Sequence, residues 1–286
     1  FIQENYAKFD PERKRKYLEF HDGTRSYFPT RVPRTVKFKI SEKDPDDQYA
    51  RLFTDDIVKI IDDLNLPRYG LGNYIKPTPH KPPPTDEAKV LADLSRAGAR
   101  LKGFCRTNLF KRLESSGQSF LLSVERHILR NFICLHAIEN DLRIPIGTQD
   151  MGLLDPLAND QDTDLWDAAD GDENNNTQTE PAAARPQATT EDIFKERAAA
   201  VYDTYAGQFH RRFKWLKPQL FNDALTKDLR KDIQSLMRVL KKADGWDPKR
   251  DMKLQELLAL LTEKHANDKV IVFSQFADTV NYLTEE

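Results

Sequence analysis

The chain has little cysteine and no long apolar run, which argues against a disulfide-rich, zinc-binding or membrane-spanning protein. Its 286 residues include only two cysteines, Cys105 and Cys134, and no CxxC pair. A disulfide framework or a zinc site is therefore not expected, and this usage fits a reducing cytoplasm best. No stretch approaches the ~18 apolar residues of a membrane span, and the first ten residues lack the design of a signal peptide. We expect a cytoplasmic protein with no membrane partner.

The sequence also lacks the motifs of a self-sufficient active site. It has no glycine-rich phosphate loop, no GxGxxG, no HExxH metal-binding pair and no GxSxG nucleophile elbow. The six histidines are scattered, and His127 and His136 are nine residues apart, too far to join one metal site easily. We expect neither a catalytic residue nor a metal site within this chain.

Charge is balanced over the whole chain but not along it. The net charge is −2, yet residues 89–136 hold nine Lys/Arg against three Asp/Glu. Residues 137–190 hold two against twelve, and residues 191–253 hold fifteen against ten. Contacts with a polyanion are therefore expected in the two basic blocks that flank the acidic one.

Apolar residues recur at helical spacing through most of the chain. The predicted helices cover residues 46–66, 120–140, 191–216, 221–242 and 254–265. Two apolar stripes in residues 120–140 indicate a helix that is buried on more than one side. Pro218 interrupts the pattern between the third and fourth helices, which are expected to pack as an antiparallel hairpin. The fold class is therefore predicted to be mainly α.

Two short segments have the character of strands. Residues 34–41 alternate apolar and basic side chains, which predicts a half-buried strand. Residues 270–273 form a continuous apolar run after Lys269, and Phe276, Val280 and Leu283 follow it at helical spacing. A strand that leads directly into a helix is typical of a parallel α/β domain. A small α/β remnant is therefore expected beside the helices.

Two further segments are too polar or too rich in proline for regular structure. Residues 76–89 contain five prolines and are predicted to be an extended linker. Residues 155–190 are acidic and rich in Asn, Gln, Thr and Pro. Such a segment buries too little apolar surface to offset its chain entropy, so we predict a disordered surface loop in which Trp166 docks at most locally.

Two stretches have a pattern that suits phosphate binding. In residues 106–120, Lys111 and Arg112 precede a pair of serines that can cap the next helix. This pattern fits either a solvated helix boundary or a phosphate contact. Ser274 and Gln275 follow the predicted strand 269–273, at the end of the strand where open parallel sheets bind ligands. An ordinary strand-to-helix turn explains the second pattern equally well.

Three segments together resemble SWI/SNF-type ATPases of helicase superfamily two. Residues 253–283 resemble the entry into the second RecA-like lobe of that family, where "KVIVFSQF" corresponds to motif IV. The sequence "FKRLESS", residues 110–116, is similar to the KRLxSS element between the lobes of bacterial members. Residues 31–53 are similar to the exit from the first lobe. The order of the three elements also agrees with the family.

The resemblance implies that the chain is the middle of a DNA-translocating motor whose two ends have been cut away. The family's Walker A lysine, DExH/D-box acid and motif VI have no counterparts here, so ATP and Mg²⁺ are expected to bind elsewhere in the parent protein. The implied partners are duplex DNA and the remaining motor lobes of the same polypeptide. The expected nucleic-acid contacts are Ser274 and Gln275 from motif IV, Lys111 and Arg112 from the inter-lobe element, and Arg211 and Arg212 from the second basic block.

This interpretation divides the chain into six regions. They are residues 1–75, the exit of the first RecA-like lobe with a connecting helix; 76–89, the linker; 90–154, the helical region with KRLESS; 155–190, the acidic loop; 191–252, the helical hairpin; and 253–286, the start of the second lobe. The fold class is thus helical hairpins between parts of two RecA-like lobes. The alternative is a helical scaffold that binds a protein partner through residues 194–240 and does not contact nucleic acid.

Overall fold

The computed structural model describes residues 2–29, 32–77, 85–147 and 190–286, which form two compact units, Phe1–Phe38 and Lys39–Glu286. Helices account for 61% and strands for 9% of the structure, so the prediction of a mainly α fold with a small sheet component is confirmed. Residues 78–84 of the predicted proline-rich linker and the acidic segment around Trp166 lie outside the described residues. The prediction of an extended linker is wrong for residues 85–89, which are helical. No helix in the described ranges is long and apolar enough to cross a membrane.

The first unit is a small antiparallel sheet that the sequence patterns did not predict. It contains a short helix and three strands: α1 (Ile2–Asn5), β1 (Lys8–Asp10), β2 (Arg15–Glu19) and β3 (Arg25–Tyr27). The strands pair in the order β1-β2-β3, with Tyr17 opposite Lys8 on one side and Tyr27 on the other. Tyr17 is buried, and its ring centroid lies 5.4 Å from that of Tyr27. These two rings are in contact across the sheet.

The prediction of a strand over residues 34–41 is wrong. The structure assigns neither strand nor helix to these residues, and the side chains of Val36 and Ile40 are 48% and 42% exposed. Alternating apolar side chains form a strand only when a second strand accepts their backbone hydrogen bonds. No strand in the described part of the chain pairs with this segment.

The second unit contains eight named helices and one two-stranded sheet within the described residues. The helices are α2 (Gln48–Leu52), α3 (Asp55–Asp62), α4 (Thr85–Ser115), α5 (Gly117–Glu139), α6 (Glu191–Ala206), α7 (Asp223–Ala243), α8 (Met252–Ala259) and α9 (Ala277–Glu285). Strands β4 (Ile144–Ile146) and β5 (Lys214–Leu216) pair in antiparallel orientation. A 3₁₀ helix, Pro67–Tyr74, lies between α3 and α4, and a π-helical turn, Leu260–Lys264, follows α8. The predicted helix over residues 46–66 is two helices, because Thr54 caps a new start at α3.

Helix α5 lies at the centre of this unit, as its two apolar stripes predicted. Val124, Ile128 and Ile133 have no exposed surface. Helices α6 and α7 both pack chiefly against α5 rather than against each other, so the prediction of an antiparallel hairpin is wrong. Each of the two contributes one apolar face to α5, and a helix that is apolar around most of its circumference accommodates both.

The predicted helix over residues 191–216 ends ten residues early, at Ala206. Gly207 leaves helical geometry there, with φ −89° and ψ −88°. The chain then forms a 3₁₀ turn, His210–Arg212, and strand β5. The Trp215 and His210 rings stack with centroids 5.0 Å apart, and Phe213 and Leu216 remain buried. Phe213 and Leu216, which continue the helical spacing beyond α6, therefore reach the core from the turn and strand β5 and not from a helix.

The boundary between α4 and α5 requires a glycine. Ser116 caps α5, with its hydroxyl accepting from the Ser119 amide at 3.5 Å, as the serine pair predicted. At Gly117 the backbone lies directly against the Trp246 indole, and an added Cβ would stand 2.1 Å from a ring carbon. The indole is held in turn by an edge-on contact with Tyr49, 5.1 Å between centroids. An added methyl group at residue 117 would therefore have to displace the indole from this contact.

We predict that Gly117→Ala lowers the free energy of unfolding by about 1–3 kcal/mol, because overpacking displaces the Trp246 ring. Gly103→Ala is the matched control: Gly103 is also in a helix, but nothing lies within 4 Å of an added Cβ. Alanine there should be neutral or stabilise by up to about 1 kcal/mol. Urea unfolding of the three proteins measures the difference, and equal stabilities of the two variants would contradict this packing.

Candidate functional site

The segment before α9 has no regular secondary structure and exposes its apolar side chains. Residues 269–273, predicted to be a strand, have no strand assignment and pair with no strand of the described residues. Ile271 is 69% and Phe273 89% exposed. The strand prediction is therefore wrong for this chain taken by itself, since no second strand accepts the hydrogen bonds. The helix predicted to follow is confirmed as α9.

Helix α9 packs with polar residues rather than with the predicted apolar face. Phe276, at its N-cap, is buried as expected, but Val280 is 45% exposed. Asp278 and Thr279 are instead nearly inaccessible, at 3% and 5% exposed. This orientation is set by the groups that α9 meets, which are the C-terminal end of α4 and the first half of α5.

Asp278 accepts hydrogen bonds from two buried arginines on two different helices. Arg126 of α5 forms a bidentate pair with it, with N–O distances of 2.6 and 2.8 Å. Arg112 of α4 donates from Nη1 to Oδ2 at 2.9 Å. The Arg112 guanidinium also lies 4.7 Å from the centre of the Phe276 ring. One carboxylate therefore connects α9 to both α4 and α5.

The two arginines keep Asp278 ionised. Burial alone would raise the pKa of the Asp278 carboxyl, but the hydrogen bonds and charge of Arg126, followed by those of Arg112, hold that pKa below its ordinary value. Charge-assisted hydrogen bonds of this kind are among the strongest in proteins. The ion pair is thus a fixed structural contact at neutral pH.

A line of hydroxyl groups continues the same contact. Thr279 Oγ1 lies 2.8 Å from Ser119 Oγ and 2.9 Å from Ser115 Oγ. Ser115 Oγ also lies 3.5 Å from Ser274 Oγ. The KRLESS segment therefore meets the FSQF segment, about 160 residues further along the chain. We call the set Arg112, Ser115, Ser119, Arg126, Asp278 and Thr279 the α4–α5–α9 junction.

A second set of hydrogen bonds holds α9 from its C-terminal half. Tyr282 donates to Asp251 Oδ2 at 2.9 Å and accepts from the Trp246 indole N–H at 3.2 Å. Asp251 in turn caps α8 by accepting from the Lys253 and Leu254 amides. Burial lowers the pKa of Lys253, whose ammonium group donates to the Ser115 carbonyl at the end of α4 at 2.8 Å. Helices α4, α8 and α9 are thereby tied together.

Of the six predicted nucleic-acid contacts, the structure buries one and leaves the other five exposed or half-buried. Arg112 is 2% exposed and occupied by Asp278 and Phe276, so it has no face left for a phosphate, and that prediction is wrong in this conformation. Lys111 and Gln275 are exposed and Ser274 is half-buried beside the junction. Arg211 and Arg212 are exposed in the turn before β5, outside the junction.

Sequence reasoning missed the residues that hold the junction together, namely Arg126, Asp278, Thr279 and Ser119. One signal was available: Arg126 and Arg130 lie in a helix that is otherwise apolar around most of its circumference. A buried guanidinium requires a partner. Nothing in the local sequence identifies Asp278 as that partner.

Two other features do not form a charged binding site. Between α5, α6 and α7 lies a cleft of about 480 Å³, but its rim cations are paired, Lys195 with Glu191 and Arg230 with Glu139. In the described ranges, no group of three or more His, Cys, Asp or Glu side chains is arranged to hold a metal ion. The junction is thus the site in which sequence motif and geometry coincide.

Comparisons with protein-family models, with curated proteins and with solved structures found no match. The chemistry of the junction therefore has to be judged from its own geometry. Its charged groups are buried and paired, and its hydroxyl groups bond to one another, so the arrangement connects helices and offers no activated nucleophile or base.

We predict that Asp278→Asn lowers the free energy of unfolding by about 3–5 kcal/mol, because Arg112 and Arg126 lose their buried counter-charge. Asp268→Asn is the control, since Asp268 pairs with His265 at the surface and is 66% exposed. It should cost at most about 1 kcal/mol. Thermal and urea unfolding at neutral pH measure both.

The pH dependence has a definite sign. Because the folded-state pKa of Asp278 is below its ordinary value, its contribution is complete above about pH 4 and is lost as the pH falls through the folded-state pKa. The stability difference between the original protein and Asp278→Asn should therefore shrink on acidification. A difference that is constant from neutral pH to acid would contradict the ionised state of Asp278.

Proposed function

We propose that this chain is the inter-lobe helical region of a SWI/SNF-type, ATP-dependent DNA translocase of the bacterial type. Its role is to couple the closure of two motor lobes to movement on duplex DNA. One observation carries the proposal: the KRLESS segment is in direct contact with the segment that resembles the entry into the second lobe, through Arg112–Asp278 and Ser115–Thr279, each at 2.9 Å, and through Ser115–Ser274 of motif IV at 3.5 Å. Two of the three stretches that resemble the family are thus in contact with each other.

The geometry suits the transmission of a movement. Helix α4 has 31 residues and is therefore about 46 Å long. The junction fixes its C-terminal end to α9, which directly follows residues 269–276, so a displacement of that segment is passed through α9 to α4. The exposed apolar side chains of residues 270–273 supply a strand for the sheet of the second lobe.

ATP and Mg²⁺ do not fit the residues present. The sequence has no phosphate-binding loop, and the described residues contain no cluster of metal ligands. Under the proposal both are bound by the remaining lobes of the same polypeptide. The proposed DNA contacts of this chain are Ser274, Gln275, Lys111, Arg211 and Arg212. A cytoplasmic location agrees with two buried cysteines that are not joined in a disulfide.

The alternative, a scaffold that binds a protein partner through residues 194–240, has less support. Its apolar stripe is already occupied: Phe194, Tyr205 and Leu229 are 0% exposed and belong to the core around α5. A partner therefore has no apolar surface to bind on that stripe.

The proposal predicts an uncoupled motor when the junction is weakened. In the complete polypeptide that contains this chain, Asp278→Asn should retain DNA-stimulated ATP hydrolysis. Displacement of a triplex-forming strand per ATP should fall about tenfold, equivalent to about 1.4 kcal/mol of coupling. Asp268→Asn should leave both quantities unchanged. ATP hydrolysis and strand displacement that fall in proportion would argue against a coupling role.

The gene supplies a second test. The proposal requires a Walker A motif and a DExH/D-box acid upstream of Phe1, and motifs V and VI downstream of Glu286, in one reading frame. A reading frame without these motifs would leave the scaffold as the remaining candidate.

A further inference from the structure

Helix α7 has two faces of opposite character. The inner face is buried, and it consists of Leu225, Leu229, Asp232, Ile233, Leu236, Val239 and Ala243. The outer face is exposed and basic, and it carries Lys227, Arg230, Lys231, Arg238 and Lys241. Among the outward-facing positions in the middle of the helix, Gln234 is the one without a charge.

The outer cations form a straight stripe. Residues 227, 231, 234, 238 and 241 are separated by four, three, four and three positions, which keeps them on one side of an α-helix. Fourteen residues at 1.5 Å each make this stripe about 21 Å long. The outer face of α7 is therefore an elongated row of positive charge.

The acids of α7 do not neutralise this row. Asp232 lies on the inner face and accepts from the amides of Asn65 and Leu66 at 2.8 and 2.7 Å. Asp228 accepts from the Tyr74 hydroxyl at 2.7 Å. Asp223 is in the first turn, before the stripe begins.

Most of the stripe also has no partner from neighbouring elements. Arg230 pairs with Glu139, and Lys242, at the edge of the stripe, pairs with Asp56. Within the described residues, Lys227, Lys231, Arg238 and Lys241 form no ion pair. Four like charges along one face of a helix, without counter-charges, repel one another. A bound polyanion removes that repulsion.

We propose that the outer face of α7 binds the phosphate backbone of duplex DNA. B-form DNA carries one negative charge per ~1.7 Å of helix axis, so about 12 phosphates lie along the 21 Å of the stripe. Helix α7 contains no aromatic residue, so it offers no platform on which bases of a single strand can stack. Its apolar face is buried in the core, so it cannot insert into a bilayer.

Contacts of this kind position a protein on DNA without reading its sequence. The inference deepens the proposed function and rests on it, since it names the surface by which this region follows duplex DNA. It adds residues beyond Arg211 and Arg212, which precede β5 in the same basic block.

The test is the salt dependence of DNA binding by the complete polypeptide. A fluorescein-labelled, random-sequence DNA duplex is titrated at several salt concentrations between ~50 and ~200 mM. The variant replaces Lys231, Arg238 and Lys241 with Gln. The control replaces Lys59, Lys249 and Lys264 with Gln, three exposed lysines on other elements, so that the net charge changes equally.

The stripe variant should bind on the order of tenfold more weakly, and the slope of log K against log salt should become shallower by about 3. The control should keep the original slope. Duplex binding with the same slope in both variants would overturn the assignment of this surface and leave the proposed function standing. Absence of salt-dependent duplex binding by the unmodified polypeptide would overturn both. The unmodified polypeptide could also bind vesicles of anionic lipid as tightly as duplex DNA. If the stripe variant lost that binding too, the assignment of DNA as the ligand would be overturned.

Discussion

The bond between the Asp278 carboxylate and the guanidinium groups of Arg112 and Arg126 is the contact on which the arrangement of this chain's C-terminal part depends. Helix α9 has nine residues, too few to be stable alone in water. Its large buried apolar groups are Phe276 and Tyr282, and half of its first turn is polar. Three charges in an apolar interior are costly separately, and removing one of them leaves the others without their counter-charge. The position of α9 is therefore determined by partners on α4 and α5, together with the bonds of Tyr282 to Asp251 and Trp246.

The same unit uses its helices in three different ways. Helix α5 supplies the centre, since it accepts α6 and α7 on separate faces and provides Arg126 to the junction. Helix α4 supplies length and ends where α9 is attached. Helix α7 separates its functions by face, with an apolar side that completes the core and a basic side that meets solvent. The proposed coupling element and the proposed DNA-following surface are thus parts of one packed body.

Periodicity predicted α5 and α7 to within a few residues, because the pattern that defines an amphipathic helix is contained in the helix itself. It failed where the partner is distant. Residues 34–41 and 269–273 have strand composition, but a strand exists only when another strand accepts its hydrogen bonds. The burial of Arg112 and the inward turn of Asp278 depend on a contact between residues 166 positions apart. The helix ending at Ala206 depends on Gly207, whose effect the apolar spacing conceals.

Native-state hydrogen exchange of the α9 amides tests the central claim most directly. A short helix held only by fraying local bonds exchanges close to the rate of an unfolded chain, whereas one held by a buried ionic contact exchanges with the core. We predict that the amides of residues 281–285 are protected with nearly the same free energy as those in the middle of α5. Exchange of these amides at close to the unfolded rate, while α5 stays protected, would contradict it.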